Sequence, residues 1–267
     1  MTSVENTGQL ALDQNDIAQF VEQGFIRLDH AFPPCLADDA RSILWQDMGM
    51  DPLNPAAWSV PVVRLGMYSQ APFVAAANTP RLRAAYDQLV GQGRWQRPGA
   101  MGSFVVRFPS ESEPHDAGWH VDVSFGYENS DFMEWRANIV SRGRMLLMLF
   151  LFSDVGGEDG PTRIRAGSHH IIARQLAKHG DEGLTLRELA KEGFSDTSGC
   201  KEVLATGTAG TVYLCHPFLV HSAQAHKGQN PRFLAQPPLL PIPDMSAGDA
   251  DALNFPVGQV IAQALCG

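Results

Sequence analysis

The sequence predicts a mainly β protein of the sandwich or barrel type with flanking helices, and three observations carry that prediction. From Ser103 onward, short β-rich runs alternate with turn-forming pieces. One of these runs, "RMLLMLFLF", is apolar on both parities, whereas the first hundred or so residues alternate helix and strand signals. Strands recurring at this spacing form sandwiches or barrels. A run that is apolar on both parities reads as a central strand covered on two sides, here by the interior and by helices. At 267 residues and 44% hydrophobic content, the chain can bury one sizeable core. A single domain over 1–267 is expected, with a helical buttress over about 1–100 and a β core over about 101–242.

The N-terminal elements follow from caps and periodicity. Asp13 or Asn15 can cap a helix with Ile17, Phe20 and Val21 at helical spacing, and Gly24 ends it before the strand-like "FIRLDH". A second helix is predicted in "PPCLADDARSILW", with Leu36, Ala40, Ile43 and Leu44 on one face. The third spans 80–91, where Leu82, Ala85, Tyr86 and Leu89 repeat at three and four and Gly91 stops the run. Strands are then predicted near "SFVVRF", "WHVDVSF", "RMLLMLFLF", "TRIRAG", "EVLA", "TVYLC" and "RFLAQPPLL". Within them "GLTLRELAKEG" reads as an inserted helix, with Thr185 and Glu188 in capping-box positions and Gly193 as its terminator. Loops at 50–78, 125–143 and 176–200 carry few motifs and are the segments expected to set specificity.

Bulk charge narrows the function. A net charge of −9 and a pI near 5.4 oppose binding to nucleic acid or an anionic membrane, which leaves a small-molecule substrate. Four widely spaced cysteines, Cys35, Cys200, Cys215 and Cys266, fit neither a zinc knuckle nor a disulfide framework, so reduced thiols and a cytoplasmic location are expected. The stretch "MTSVENTGQLALDQND" lacks a basic region followed by an apolar one, and no run approaches the roughly 18 apolar residues of a membrane span. No coiled-coil pattern specifies an oligomeric state.

The chemistry concentrates in "GWHVDVSFGY", where His120 and Asp122 stand two apart. In an extended segment such a pair leaves one face together, forming half of a metal claw. A third ligand is sought in "TVYLCHPFLVHSAQAHKG", which offers His216, His221 and His226. His216 and His221 are an odd interval apart, so a regular strand would send them to opposite sides; His226 lies in a turn-like stretch. Arg232 follows His221 across the turn-forming "HKGQNP", and a hairpin would return it beside the histidine.

"HVD" in a β-rich segment, then "GPTRIRAGSHH", then "HPFLVHSAQAHKGQNPR" resemble the phytanoyl-CoA dioxygenase family of iron(II)- and 2-oxoglutarate-dependent oxygenases, over roughly residues 100–240. The resemblance implies a double-stranded β-helix core, jelly-roll and cupin-like, with flanking helices. It further implies that His120, Asp122 and His221 hold Fe(II) and act in catalysis. Arg232 would bind the far carboxylate of the cosubstrate 2-oxoglutarate, with Thr162 as a second donor to it, and O2 would be the other cosubstrate. Two imidazoles and one carboxylate on one face of an octahedral ion leave positions open for a bidentate keto acid and dioxygen. Family members that are halogenases replace the carboxylate with a small residue; Asp122 is retained here. Hydroxylation of an unactivated C–H, with 2-oxoglutarate going to succinate and CO2, is the implied reaction. A non-catalytic cupin-like binding protein and a zinc hydrolase are the alternatives, because two histidines and a carboxylate also suit zinc. Packing or turn roles are expected of His216, His169 and His170, core packing or substrate contact of Trp119, Phe125, Tyr127 and Trp135, and a solvated cationic face of Arg136, Arg142 and Arg144. Arg163 and Arg165 carry no assigned role.

Overall fold

The computed structural model of the chain describes residues 11–266 apart from Ser59, Glu111 and Glu113. Helix α1 (Gln14–Gln23) opens with a complete capping box, in which the Asp13 carboxylate accepts from Asp16 N–H and Asp16 reaches back to the Asp13 N–H. It ends at Gly24, whose φ of 83° is the left-handed conformation that favours glycine. Then come β1 (Phe25–Leu28), α2 (Pro34–Met48), β2 (Val62–Leu65), α3 (Ala71–Ala77) and α4 (Pro80–Val90). The second half comprises β3 (Phe104–Arg107), β4 (Arg136–Ala137), β5 (Leu146–Leu151), β6 (Arg163–Ala166), α5 (Ser168–Ala177), β7 (Leu184–Thr185) and α6 (Leu186–Ala190). After these follow β8 (Lys201–Leu204), β9 (Val212–Cys215), β10 (His221–Ser222), β11 (Arg232–Ala235), β12 (Pro238–Leu239) and α7 (Pro256–Cys266).

Two antiparallel sheets face each other. The larger has seven strands in the order β1-β9-β5-β11-β3-β2, with β12 pairing β5 beyond the strip that β11 occupies; the smaller has the order β10-β6-β8. A separate ribbon joins β4 to β7. This is the cupin-like jelly roll with flanking helices. Strand β5 justifies its sequence pattern: Met148 and Phe150 enter the core shared with the helices, while Leu147, Leu149 and Leu151 enter the core between the sheets. The N-terminal part does more than buttress, because β1 pairs β9 and β2 pairs β3.

Three expectations are corrected. "WHVDVSF" forms no continuous strand; its backbone pairing among the described residues consists of two isolated bridges, His120 to His221 and Phe125 to Arg136. β10 and β11 do not form a hairpin but lie in opposing sheets, because the connection between them carries the chain from one sheet to the other. The strand-parity argument for His216 and His221 fails for a similar reason: a turn, with Leu219 N–H donating to His216 O, separates β9 from β10.

Candidate active site

His120 and His221 are partners in backbone as well as in side chain. Each donates its N–H to the other's carbonyl, at 3.0 and 2.9 Å, and this bridge sets their ring centroids 4.3 Å apart. The His120 Nδ1 lies 2.9 Å from Gly118 O and the His221 Nδ1 lies 3.0 Å from Leu219 O. A carbonyl only accepts, so each Nδ1 carries the proton and each Nε2 presents a lone pair. Asp122 completes the group: its Oδ1 lies 3.9 Å from the His120 Nε2 and 3.8 Å from the His221 Nε2. All three ligand atoms fall within 4.8 Å of one another.

The electrostatics of this cluster suit a cation. The His221 Nε2 is buried with no hydrogen-bond partner, an arrangement a folded protein rarely leaves without a use. Burial, and then the neighbouring His120, push the His221 pKa down to about 4, so its ring stays neutral and able to ligate. Burial alone would raise the Asp122 pKa; Arg144, followed by the two histidines, reverses that and holds the carboxyl below its ordinary range. The residues therefore fit a divalent metal: two imidazoles that turn Nε2 toward one point, and one ionised carboxylate.

A cavity of 630 Å³ opens beside the cluster, lined by His120, His221, Thr162 and Arg232 among others. Arg232 is 2% exposed and donates to Gly160 O, and among the described residues it has no carboxylate partner. Its Nε is buried and unpaired. The strand register sets Arg232 opposite Arg107, whose guanidinium holds Asp116 at 2.7 Å. Burial and the adjacent Arg107 charge make the Arg232 cation costly, and an incoming anion would relieve both. The remaining wall includes Trp119, Phe132, Met133, Leu186 and Ala190.

Other residues take different places. Arg163 and Arg165 lie over the Trp119 ring at 4.6 and 4.0 Å, gripping the residue beside His120. His216 is fully buried against Phe20, Phe218 and His169, and both His169 and His170 donate from Nε2 to Val21 O, so these three pin α1 rather than line the cavity. His226, in its turn-like stretch, is buried and hydrogen-bonded to Asn230 O at 2.7 Å. Arg144 overturns the solvated cationic face: it is 8% exposed and ion-paired with Asp122 at 2.9 Å. The roles of Arg107 and Arg144 escaped sequence reasoning, although each stands at the edge of an apolar run, "FVVR" and "RMLLMLFLF".

Two imidazoles and a carboxylate converging between the sheets of a jelly roll define the class, a mononuclear metal-site architecture. The model of the family "Phytanoyl-CoA dioxygenase (PhyH)" matches residues 20–234. The chain belongs to the phytanoyl-CoA dioxygenase family, and as a member it is an iron(II)- and 2-oxoglutarate-dependent oxygenase. No curated protein matches it in sequence. Among solved structures, the fold is similar to the non-haem α-ketoglutarate-dependent carbocyclase SnoK from nogalamycin biosynthesis, at 16% identity and a TM-score of 0.53, covering 85% of this chain and 84% of that one. It is also similar to EctD from S. alaskensis with 2-oxoglutarate and 5-hydroxyectoine, at 19% identity and a TM-score of 0.54, covering 86% and 76%. HygX from Streptomyces hygroscopicus with nickel and 2-oxoglutarate bound gives 19% identity and a TM-score of 0.51, covering 84% and 85%.

Proposed function

We propose that this chain hydroxylates an unactivated C–H bond of a small molecule, with His120, Asp122 and His221 holding Fe(II). Arg232 receives the distal carboxylate of 2-oxoglutarate, and the Thr162 hydroxyl adds a donor to it. The observation that carries the reading is the convergence of two bare Nε2 atoms and one carboxylate at the edge of a cavity that also contains a buried guanidinium with no carboxylate partner among the described residues. A zinc hydrolase would leave Arg232 without a purpose.

Bound iron, keto acid and dioxygen together supply a two-electron oxidation, with 2-oxoglutarate leaving as succinate and CO2. The protein's own contribution is placement. Carbonyls at Gly118 and Leu219 fix the tautomers of both imidazoles. Arg232 offers a planar fork to a carboxylate, which fixes orientation as well as charge. Trp119, Phe132, Met133, Leu186 and Ala190 present an apolar wall beside the reacting centre. Retention of Asp122 supports hydroxylation over halogenation. The incorporation of β1 and β2 into the large sheet supports reading 1–267 as one domain. Cys35, Cys200, Cys215 and Cys266 are all free thiols, which supports a reducing, cytoplasmic setting. No helix among the described residues is long and apolar enough to cross a membrane.

The test is anaerobic titration with Fe(II) and 2-oxoglutarate, followed by assay of succinate after admission of air. A visible charge-transfer band and uncoupled succinate release are expected, and both should vanish in Asp122→Ala. If the wild-type chain shows neither, the proposal falls.

A further inference from the structure

Asp122 has two oxygens, and the structure divides them. Oδ1 faces the two histidines, whereas Oδ2 is held by Arg144 Nη1 at 2.9 Å, its one hydrogen-bond partner among the described residues. No strand ladder steadies this carboxylate, since residues 121–124 lie between two isolated bridges. Something else must fix its rotation.

Arg144 is built for that task by the turn at 141–144. Arg144 N–H donates to Ser141 O at 3.3 Å, and the Ser141 hydroxyl donates to Arg144 O at 2.8 Å. Gly143, at φ 82°, backs onto the Ser124 carbonyl so closely that a Cβ there would overlap it, while the Ser124 hydroxyl donates to Arg142 O. Ser124 is two residues past Asp122. The turn carrying the guanidinium and the segment carrying the carboxylate are therefore locked together before any ion binds.

We propose that Arg144 is a positioning residue for the metal site: by occupying Oδ2 it keeps Oδ1 turned toward His120 and His221, so that Asp122 ligates through one oxygen only. This rests on the reading that His120, Asp122 and His221 hold the ion. Arg144 also places a positive charge near a dication, which opposes binding. Orientation is the larger effect, because loss of the partner that aims a ligand typically weakens metal binding about 10–100-fold.

The test is anaerobic cobalt(II) titration of the wild-type chain, Arg144→Gln, Arg144→Lys and His221→Ala, read by calorimetry and by the visible cobalt spectrum. Arg144→Gln should bind cobalt about 10–100-fold more weakly, with an altered visible spectrum, because its carboxylate is free to turn. Arg144→Lys keeps the charge without the planar fork and should recover part of the affinity. A residue of purely structural importance would lower the melting temperature and leave affinity and spectrum unchanged. Wild-type affinity and spectrum in Arg144→Gln would overturn the proposal; should that variant not melt cooperatively, the same result in Arg144→Lys does so. Cobalt binding by the wild-type chain that is indifferent to His221→Ala, or absent, would instead overturn the metal-site reading and the role of Arg144 with it.

Discussion

Arg232 is the residue whose environment is least complete without a ligand. Replacing it by Gln removes a buried charge-assisted partner for the keto acid, and truncating one side of such a pair is typically worth about 2–5 kcal/mol. Calorimetry should therefore show 2-oxoglutarate binding weakened by well over tenfold in Arg232→Gln, with metal binding retained. A second prediction concerns acid stability. Burial pushes the His216 pKa down to about 3 from an ordinary value of 6.5, and burial, with His216 and His170 alongside, lowers that of His169. The unfolded chain then binds more protons than the folded one between pH 6.5 and about 3, so stability is present above that window and is lost as pH falls through it. Each such histidine adds a slope of up to about 1.4 kcal/mol per pH unit. Urea midpoints measured from pH 7 downward should show this slope, flattened in His216→Gln. At this scale residue type and spacing were informative about placement: His120 and Asp122, two apart, do lie together with His221, and Arg232 lines the same cavity, although not through the hairpin that its spacing suggested. Arg144 was not legible, because a cation among other arginines looks solvated until the fold shows which carboxylate it meets.

Elements were legible where local signals are self-contained. The cap at Asp13, one of the two residues the sequence offered, the capping box at Thr185 and the two-faced apolar β5 all formed as their residues dictate. Segments whose structure depends on distant partners were not foreseen: β2 and α3 are short and fixed by packing, and residues 118–125 stay irregular because they bridge between elements. Helices α5 and α7 were missed although Ile172, Ala173 and Leu176, and Val257, Val260 and Ile261, are buried at helical spacing. Thr185→Ala should cost about 1 kcal/mol through loss of its bond to Glu188 N–H. Because Leu186 and Ala190 of the same helix line the cavity, amide exchange there should rise together with the KM for the organic substrate. Gly24→Ala tests the α1 to β1 junction: its Cβ would meet the His169 ring and Leu219 in a left-handed conformation. A loss of about 1–3 kcal/mol from overpacking, beyond the backbone strain, should lower the denaturant midpoint.

For the whole molecule, an ion that binds only the folded chain adds to its stability by mass action, about 2.7 kcal/mol at a free concentration a hundredfold above Kd. The melting temperature should rise with cobalt(II) or iron(II), fall again with a chelator, and be unmoved by either in His221→Ala. The global architecture was legible as a class, since strand spacing and a two-sided central strand leave few alternatives. Which strands share a sheet was not, because that is decided by connections such as the one from β10 to β11. The backbone bridge between His120 and His221 reaches further than the chemistry it serves. These residues stand about a hundred positions apart, so a metal clasping both rings would act as a reversible crosslink across that loop, as a disulfide does. Loading the site should then slow deuterium uptake along the backbone on both sides of the clasp, far beyond the side chains that touch the ion.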